Sequence, residues 1–369
     1  MGLRGYHPHR REKAVADIEG MIRRQALWGR RLPGEREMAE ALGISRGTLQ
    51  KALEVLESRG SVTRRHGSGT FAADKTAVEG ASRRGPMRLA LIAKDCWLPA
   101  DGWTYYGDMI DGVMRGCRRL GAEVAVVSEP SVWSAGPGPE WARLREFTGF
   151  LVVQEKNPAM IRALLRLRRG PVVLIDSAFR ELPVIGVVDG SFEGARRAVS
   201  YLVNLGHARI AYIAPGEHPD NPHEKTFGYQ AALSEAGIPL DPELVAHPDE
   251  NDLDAEVGLA VERFLALEAP PTAIFAGTDS RALPAMRALE ARGRRVGEDF
   301  ALLGFGDSAA RSGQCDSLGS VRIHTRQMGE AAVRAALEAP RSPQARTVIV
   351  PDRLIVRRSA CRPQVEVGA

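Results

Sequence analysis

The chain has 369 residues, of which 44% are hydrophobic and 26% are charged, and its formal net charge at pH 7 is +4. This composition is typical of a globular protein and excludes a disordered or collagen-like chain, and the length predicts two or three domains. The apolar runs are strand-sized, far short of the roughly 20 residues of a membrane-spanning helix, and the first residues do not resemble a signal peptide. Because the four cysteines are widely spaced, we expect free thiols, no metal site and a cytoplasmic location.

The charge is unevenly distributed along the chain. Residues 1–75 contain 15 Lys and Arg against 9 Asp and Glu, which leaves a net charge of −2 for the rest of the chain. A small basic segment joined to a larger, nearly neutral one favours a polyanion such as nucleic acid as the partner of the basic end. The alternative is a solvated basic surface that has no partner.

Residues 1–75 have the pattern of a small domain with three helices and a β-hairpin. Helices are predicted over residues 13–27, 35–42 and 45–59, and strands over residues 61–65 and 70–73. Ser45 is a favourable N-cap for the third helix, and an apolar stripe follows on one face of it at Leu49, Ala52, Leu53 and Leu56. A short helix, a tight turn and a second helix with a polar outer face predict a helix-turn-helix, whose second helix can enter the major groove of DNA.

The polar face of this third helix carries side chains that can read bases or bind phosphates. Arg46 can pair with guanine and Gln50 with adenine, while Ser45 and Thr48 suit phosphate contacts at the start of a helix. The hairpin tip is basic and has small residues at its turn, which suits an approach to the DNA backbone. The alternative is a small helical domain that packs on the rest of the chain and has solvated arginines.

Residues 32–53 (LPGEREMAEALGISRGTLQKAL) closely resemble the helix-turn-helix signature of the GntR family, and residues 60–71 (GSVTRRHGSGTF) look like that family's wing. The resemblance implies a bacterial transcription regulator that binds a near-palindromic operator as a dimer. Family members often carry Arg at the position of Gln50, so the chain departs from the family there. The residues predicted to contact DNA, from the pattern and the resemblance together, are Arg36, Ser45, Arg46, Thr48, Gln50, Lys51, Arg64, Arg65 and Gly67.

Residues 76–86 lack an apolar period and are predicted to link the first domain to a second domain over residues 87–363. Strands are predicted near residues 88–93, 122–127, 149–153, 171–175, 184–188, 209–213, 272–276 and 299–304. Helices are predicted near residues 105–120, 157–168, 191–205, 224–236, 253–267, 279–292 and 325–339. Such alternation predicts an α/β fold with parallel sheets covered on both faces, and the length favours two doubly wound lobes.

Two lobes of this kind bind ligands between the carboxyl ends of their strands. Carboxylates placed there can accept paired hydrogen bonds from ligand hydroxyls, and aromatic side chains can stack on a ring. Candidates of both kinds follow the predicted strands or open the first helix: Asp95, Tyr105, Tyr106, Asp176, Asp189, Asp279 and Asp307. The alternatives are helix N-caps for Asp189 and Asp279, and a turn residue for Asp307.

Four segments of the second domain, residues 201–213, 227–233, 273–283 and 300–307, resemble the core of LacI-type regulators, which is similar to the periplasmic sugar-binding proteins. The resemblance covers nearly all of residues 87–358. It implies an effector cleft whose contacts fall on Tyr105, Tyr106, Asp176, Asp189, Lys225, Thr278 and Gly306. The chain departs from the family where Lys225 replaces a usual Arg, Thr278 a common Asn, Gly306 a common Asp and Gly190 a common Asn. Lys225 keeps a positive charge but cannot donate the two parallel hydrogen bonds of Arg.

The sequence as a whole predicts a DNA-binding transcription regulator, a repressor as most such proteins are, whose operator binding is controlled by a small polar effector such as a sugar. The expected partners are operator DNA, the effector and a second copy of the chain. No cofactor, no metal and no membrane are expected, and no enzymatic activity is expected because no catalytic constellation is recognisable. The alternatives are a solute-binding receptor or sensor, and an enzyme, which would need a base, a nucleophile or a metal cluster at the strand ends.

Overall fold

The computed structural model describes residues 8–58, 61–65, 69–73, 87–93, 105–127, 139–155, 157–167, 170–216, 224–249, 251–339 and 344–360. The chain divides into two compact units, Met1–Met87 and Arg88–Ala369. Of the helices within the described ranges, none is long and apolar enough to cross a membrane.

The first unit has the predicted three helices and a hairpin. Its elements are α1 (Pro8–Arg24), α2 (Glu35–Ala41), α3 (Arg46–Ser58), β1 (Val62–Arg65) and β2 (Gly69–Ala72). The two strands are antiparallel, and Arg31 adds a bridge to Phe71. One face of α3 is fully buried against α1, where Ile18 and Ile22 complete the core. The first helix runs from Pro8 to Arg24, so it begins five residues before its predicted start and ends three residues before its predicted end, and the bounds of the other elements agree with the prediction to within one residue.

The second unit alternates strands and helices along the chain. Its first half contains β3 (Arg88–Ile92), α4 (Tyr105–Leu120), β4 (Glu123–Val127), β5 (Gly149–Val153), α5 (Pro158–Leu167), β6 (Val172–Ile175), β7 (Ile185–Asp189) and α6 (Ser191–Asn204). Its second half contains β8 (Ile210–Ile213), α7 (Glu224–Glu235), β9 (Val245–Ala246), α8 (Leu253–Leu265), β10 (Ala273–Ala276), α9 (Asp279–Ala291), β11 (Ala301–Gly306), α10 (Ser308–Arg311), β12 (Gly319–Arg322), α11 (Thr325–Glu338), β13 (Arg346–Val350) and β14 (Arg353–Ile355). All eight predicted strands of this unit are present, with bounds within two residues of the prediction.

These strands form two six-stranded sheets, each the centre of one lobe. Lobe one has the strand order β4-β3-β5-β6-β7-β13 and is parallel throughout. Lobe two has the order β9-β8-β10-β11-β12-β14 and is parallel except for β14, which is antiparallel to β12. The central strands are buried because helices cover both faces, which explains their continuous Val, Ile, Leu and Ala content. The predicted α/β class and two-lobed architecture are confirmed.

The chain passes between the lobes three times. The first crossing joins β7 to α6, which packs in lobe two on α7 and β12, and the second joins β12 to α11, which packs in lobe one on α4 and β6. The third crossing joins β13 to β14. The carboxyl end of β7 and the residues around Pro351 therefore lie where the two lobes meet.

Two sets of contacts join helices of this unit. Helices α4 and α11 touch at Gly112 and Gly329, where an added Cβ on either residue would overlap backbone atoms of the other helix. Asp108 of α4 is buried and accepts hydrogen bonds from Arg326 of α11, at 2.6 Å, and from Arg311 of α10 in lobe two. Asp108 therefore joins the two lobes through one carboxylate.

Candidate functional sites

The helix α3 has an apolar inner face that packs in the core of the first unit and a polar outer face. Leu49 and Leu53 have no exposed surface, whereas Arg46, Gln50 and Lys51 are exposed on the opposite side. A helix that is anchored by one apolar stripe and carries arginine, glutamine and lysine outward has the form of a major-groove reading helix.

The start of α3 is fixed by its predicted cap. The Ser45 hydroxyl accepts a hydrogen bond from the backbone N–H of Thr48 at 3.2 Å, and the hydroxyls of the two residues lie 2.9 Å apart. The cap fixes the first turn of α3, which carries Arg46, so that the arginine projects from an ordered helix start. Arg36 on α2 is also exposed, and its guanidinium pairs with Glu40 one turn later at 3.2 Å.

The structure gives Arg64 a contact inside the domain that the sequence pattern did not predict. Its guanidinium donates to the backbone carbonyl of Gln50 at 3.3 Å and lies 3.9 Å from the Glu35 carboxylate. The strand β1 is thereby attached to α2 and α3. The side chain of Arg65 and all of Gly67 lie outside the described residues, so the predicted wing contacts remain predictions.

In lobe one, a chain of polar contacts begins at the N-terminus of α4. The rings of Tyr105 and Tyr106 meet edge to face with centroids 5.1 Å apart. The Tyr106 hydroxyl donates to Gln154 Oε1 at 2.5 Å, and Gln154 Nε2 donates to Asp176 at 3.3 Å. The structure thus brings three predicted residues together and adds Gln154 between them.

Gln154 and Asp176 have an unusual backbone. They follow β5 and β6 with φ of +47° and +62°, in the left-handed region that non-glycine residues rarely adopt. Each such residue costs about 1–3 kcal/mol, and residues of this kind concentrate at functional sites. Both residues lie at the carboxyl edge of the lobe-one sheet, which is the edge where parallel sheets bind ligands.

The lobe crossings contribute two carboxylates. Asp189, at the end of β7, accepts a hydrogen bond from the Ser191 hydroxyl at 2.8 Å. Asp352, on the third crossing, is only 5% exposed, and its carboxylate has no hydrogen-bond partner of standard geometry within the described part of the chain. Burial, together with the charge of Asp189, raises the pKa of Asp352 to about 8. The sequence analysis missed Asp352 because it did not predict the mostly exposed edge strand β13, which ends two residues before it.

Lobe two contributes a cation. Lys225, in the first turn of α7, donates to the backbone carbonyl of Gly277 at 3.1 Å, and its ammonium lies 4.2 Å from the ring centroid of Phe305. Burial lowers the pKa of Lys225, while the negative charges of Asp189 and Asp176 oppose this shift. Burial, followed by the charge of Asp176, raises the pKa of Tyr105 well above its ordinary value.

The charged groups of the two lobes influence one another's pKa values. Tyr105 and Lys225 each respond to the same three carboxylates, those of Asp176, Asp189 and Asp352. Thr278 lies in lobe two and accepts a hydrogen bond from Arg281 at 3.2 Å, and Arg281 also influences the pKa of Lys225. The region can therefore offer hydrogen-bond acceptors, an ammonium group and aromatic faces to a small polar molecule.

The structure corrects the prediction for two aspartates. Asp279 is 1% exposed and accepts hydrogen bonds from the Ser320 hydroxyl at 2.6 Å and the Ala309 backbone at 3.0 Å. Asp307 is fully buried and pairs with Arg322 at 2.5 Å and Arg357 at 2.7 Å. Their oxygens hold lobe two together, so they are not available to an effector. Asp95 lies outside the described residues.

Within the part of the chain that the structure describes, no group of three or more His, Cys, Asp or Glu side chains is arranged to hold a metal ion.

Both parts of the chain match known protein families. Residues 10–72 match the bacterial regulatory proteins of the gntR family, and residues 199–360 match the periplasmic binding protein-like domain. The HTH-type transcriptional regulator CelR of Thermobifida fusca is 28% identical over 326 residues, which cover 84% of this chain and 92% of CelR. The probable HTH-type transcriptional repressor ExuR of Bacillus subtilis (strain 168) is 33% identical over 144 residues, 39% of this chain and 42% of ExuR. The chain thus spans less than half of ExuR and nearly all of CelR.

Solved structures show the same fold. A regulatory protein of the LacI family from Chloroflexus aggregans has a TM-score of 0.62 at 22% identity, covering 74% of this chain and 98% of that one. The complex of the transcriptional regulator CelR with cellobiose has a TM-score of 0.57 at 23% identity, covering 89% of this chain and 100% of that one.

The chain joins a GntR-family helix-turn-helix domain to a periplasmic-binding-protein-like domain with the fold of LacI-family regulators. Both resemblances seen in the sequence are therefore confirmed. The named relatives of this two-domain chain are HTH-type transcriptional regulators and repressors.

Proposed function

We propose that the protein is a sequence-specific DNA-binding transcriptional repressor whose operator affinity is controlled by a small polar effector. The observation that carries the proposal is α3, a capped helix with a fully buried apolar face and an exposed face of Arg46, Gln50 and Lys51. The proposal includes no catalytic step, and it places the protein in the cytoplasm, where its DNA would be.

Arg46 is the residue we expect to contribute most to specificity. It is exposed in the first turn of α3, and the N-terminal residues of a recognition helix are those that reach the base edges. A bidentate contact from arginine to guanine is worth about 1–3 kcal/mol of discrimination. A homodimer on two half-sites, which we also propose, would lose this contribution twice.

The test compares Arg46→Ala with Lys13→Ala, which removes the same charge from an exposed position on α1. An operator is first selected from random duplexes with the wild-type protein, and affinities are then measured by fluorescence anisotropy at one salt concentration. We expect Arg46→Ala to lower operator affinity by tenfold or more, and Lys13→Ala to change it by less than threefold. Equal, small effects of the two variants would refute the assignment of α3 as the reading helix.

The effector half of the proposal rests on the region where the lobes meet. Tyr106, Gln154 and Asp176 belong to lobe one, Lys225 to lobe two, and Asp189 to a crossing. A molecule that contacts both lobes stabilises one relative arrangement of them over others, and this differential affinity is the requirement for an allosteric response. Hydroxyl-rich molecules such as sugars supply O–H groups that can donate hydrogen bonds to these carboxylates.

A thermal-shift screen of mono- and disaccharides and nucleosides tests this half, because a ligand that binds only the folded state raises its stability. CelR was solved with cellobiose, so that disaccharide belongs in the screen. A hit should also change the affinity for the selected operator. Stabilisation without any effect on DNA binding would favour a solute-binding receptor instead.

A further inference from the structure

A network of three side chains connects the reading face of α3 to α2 and β1. Glu35, the first residue of α2, accepts a hydrogen bond through Oε2 from Gln50 Nε2 at 3.2 Å. Arg64 of β1 lies 3.9 Å from the other carboxylate oxygen and donates to the Gln50 backbone carbonyl at 3.3 Å. The side chains of Glu35 and Arg64 are each 31% exposed, so the network lies partly below the surface that carries Gln50.

The chemistry of the network fixes which way the Gln50 amide faces. An ionised carboxylate can only accept hydrogen bonds, so the amide nitrogen of Gln50, and not its oxygen, must face Glu35. That nitrogen has two N–H groups, one of which donates its hydrogen bond to Glu35. The second hydrogen and the amide oxygen remain for a partner, and they are the donor and acceptor pair that matches N7 and N6 of adenine.

We infer that Glu35 is a positioning residue that orients the Gln50 amide to read adenine, with Arg64 balancing its charge. The inference rests on the proposed DNA binding and adds a determinant of base preference to it. Without Glu35 the amide can turn over, and its oxygen and nitrogen then exchange places. A freely turning amide can pair with other base edges as well, so the preference for adenine weakens.

The experiment measures base preference at one position. The operator selected by wild-type protein is varied one base pair at a time, and Gln50→Ala identifies the base pair whose preference depends on Gln50. Affinities of Glu35→Ala, Glu35→Gln and Glu37→Ala are then measured on the four versions of that base pair. Glu37 is exposed on the same helix and is a charge-matched control, and Glu35→Gln keeps an oxygen that can accept from Gln50.

We expect wild-type protein and Glu37→Ala to prefer adenine at this position by about tenfold, and Glu35→Ala to prefer it by twofold or less. Glu35→Gln should keep most of the preference, and Glu35→Ala should cause no further loss in the Gln50→Ala background. Preferences at other positions, including those lost in Arg46→Ala, should be unchanged in Glu35→Ala.

Three results would overturn the inference. The first is an unchanged adenine preference in Glu35→Ala. The second is an equal loss of base preference at all positions, which would show a general role in folding. The third is a Gln50-dependent base pair that is not adenine–thymine. Selection of no sequence at all by the wild-type protein would instead refute the proposed function. Circular dichroism melting of each variant separates loss of folding from loss of base preference.

Discussion

Replacing Gly112 by alanine tests the close contact between α4 and α11, on which lobe one depends. An added Cβ would overlap the carbonyl oxygen of Arg326 and lie 3.0 Å from its Cα. Both are backbone atoms of a packed helix, so they cannot move aside as the end of a flexible side chain would. The helices must therefore separate, which also lengthens the hydrogen bonds from Arg326 to Asp108 and Asp111.

Two opposing contributions set the size of the effect. Alanine in place of glycine inside a helix is worth about 1 kcal/mol of stability. Overpacking a well-packed contact costs typically 1–3 kcal/mol, and a clash with backbone belongs at or beyond the upper end. Weakening two charged hydrogen bonds adds to the cost. We expect a net destabilisation of about 2 kcal/mol or more, which lowers the melting temperature of a domain of this size by about 4–8 °C.

Gly258→Ala is the matched control, because Gly258 lies inside α8 and an added Cβ there meets no atom within 4 Å. It should raise stability by about 0.5–1 kcal/mol. Both variants are compared with wild type by differential scanning calorimetry. Because Gly258 also lies in the larger unit, the transition that Gly258→Ala shifts is the one in which Gly112→Ala is measured. A Gly112→Ala protein that melts at or above the wild-type temperature would refute the close approach of the two helices.

Three further predictions concern the larger unit. Because burial and Asp189 raise the pKa of Asp352 from 3.8 to about 8, the folded state keeps a proton that the unfolded chain loses, and wild-type stability falls between about pH 4 and pH 8. The melting temperature of Asp352→Asn should therefore exceed that of wild type by a margin that grows as the pH is raised from about 4 to 8. A difference in melting temperature that does not depend on pH would contradict the assignment. Asp108→Asn and Arg311→Gln should destabilise less together than the sum of their separate effects in urea titrations, whereas strict additivity would show that their ion pair contributes nothing. Lys225→Ala should abolish stabilisation by an effector found in the screen and leave operator affinity unchanged, and a wild-type thermal shift would remove Lys225 from the site.

The elements that the sequence predicted well are those with a strong local pattern. Strands such as Val172–Ile175 are buried on both sides, so their apolar runs are continuous and easily located. Four strands were missed: β12 mixes glycine, serine and arginine with one valine, β9 and β14 have only two and three residues, and β13 is a mostly exposed strand at the sheet edge. Which strands pair with them depends on residues distant in sequence, so no local sequence pattern predicts it.

The site was less predictable than the fold. Its residues were chosen because they follow strands, and this criterion cannot tell which way a side chain turns. Asp176 turns toward Gln154, whereas Asp307, with a similar left-handed backbone, turns toward Arg322 and Arg357. Arg322 and Arg357 are distant from Asp307 in sequence, so only the folded chain shows that its charge is already paired.

The order of the elements along the chain affects how the larger unit folds during synthesis and how it can be cut into fragments. The α11 helix that covers α4, and the edge strand β13, belong to lobe one but leave the ribosome after most of lobe two. Until then, Gly112 has no partner helix and the β7 edge of the first sheet is open. Neither lobe is a continuous stretch of sequence, because β14 also returns to lobe two. A fragment that ends before residue 325 would therefore lack part of both lobes, and an isolated lobe could be produced only by rejoining its separate pieces in a new order.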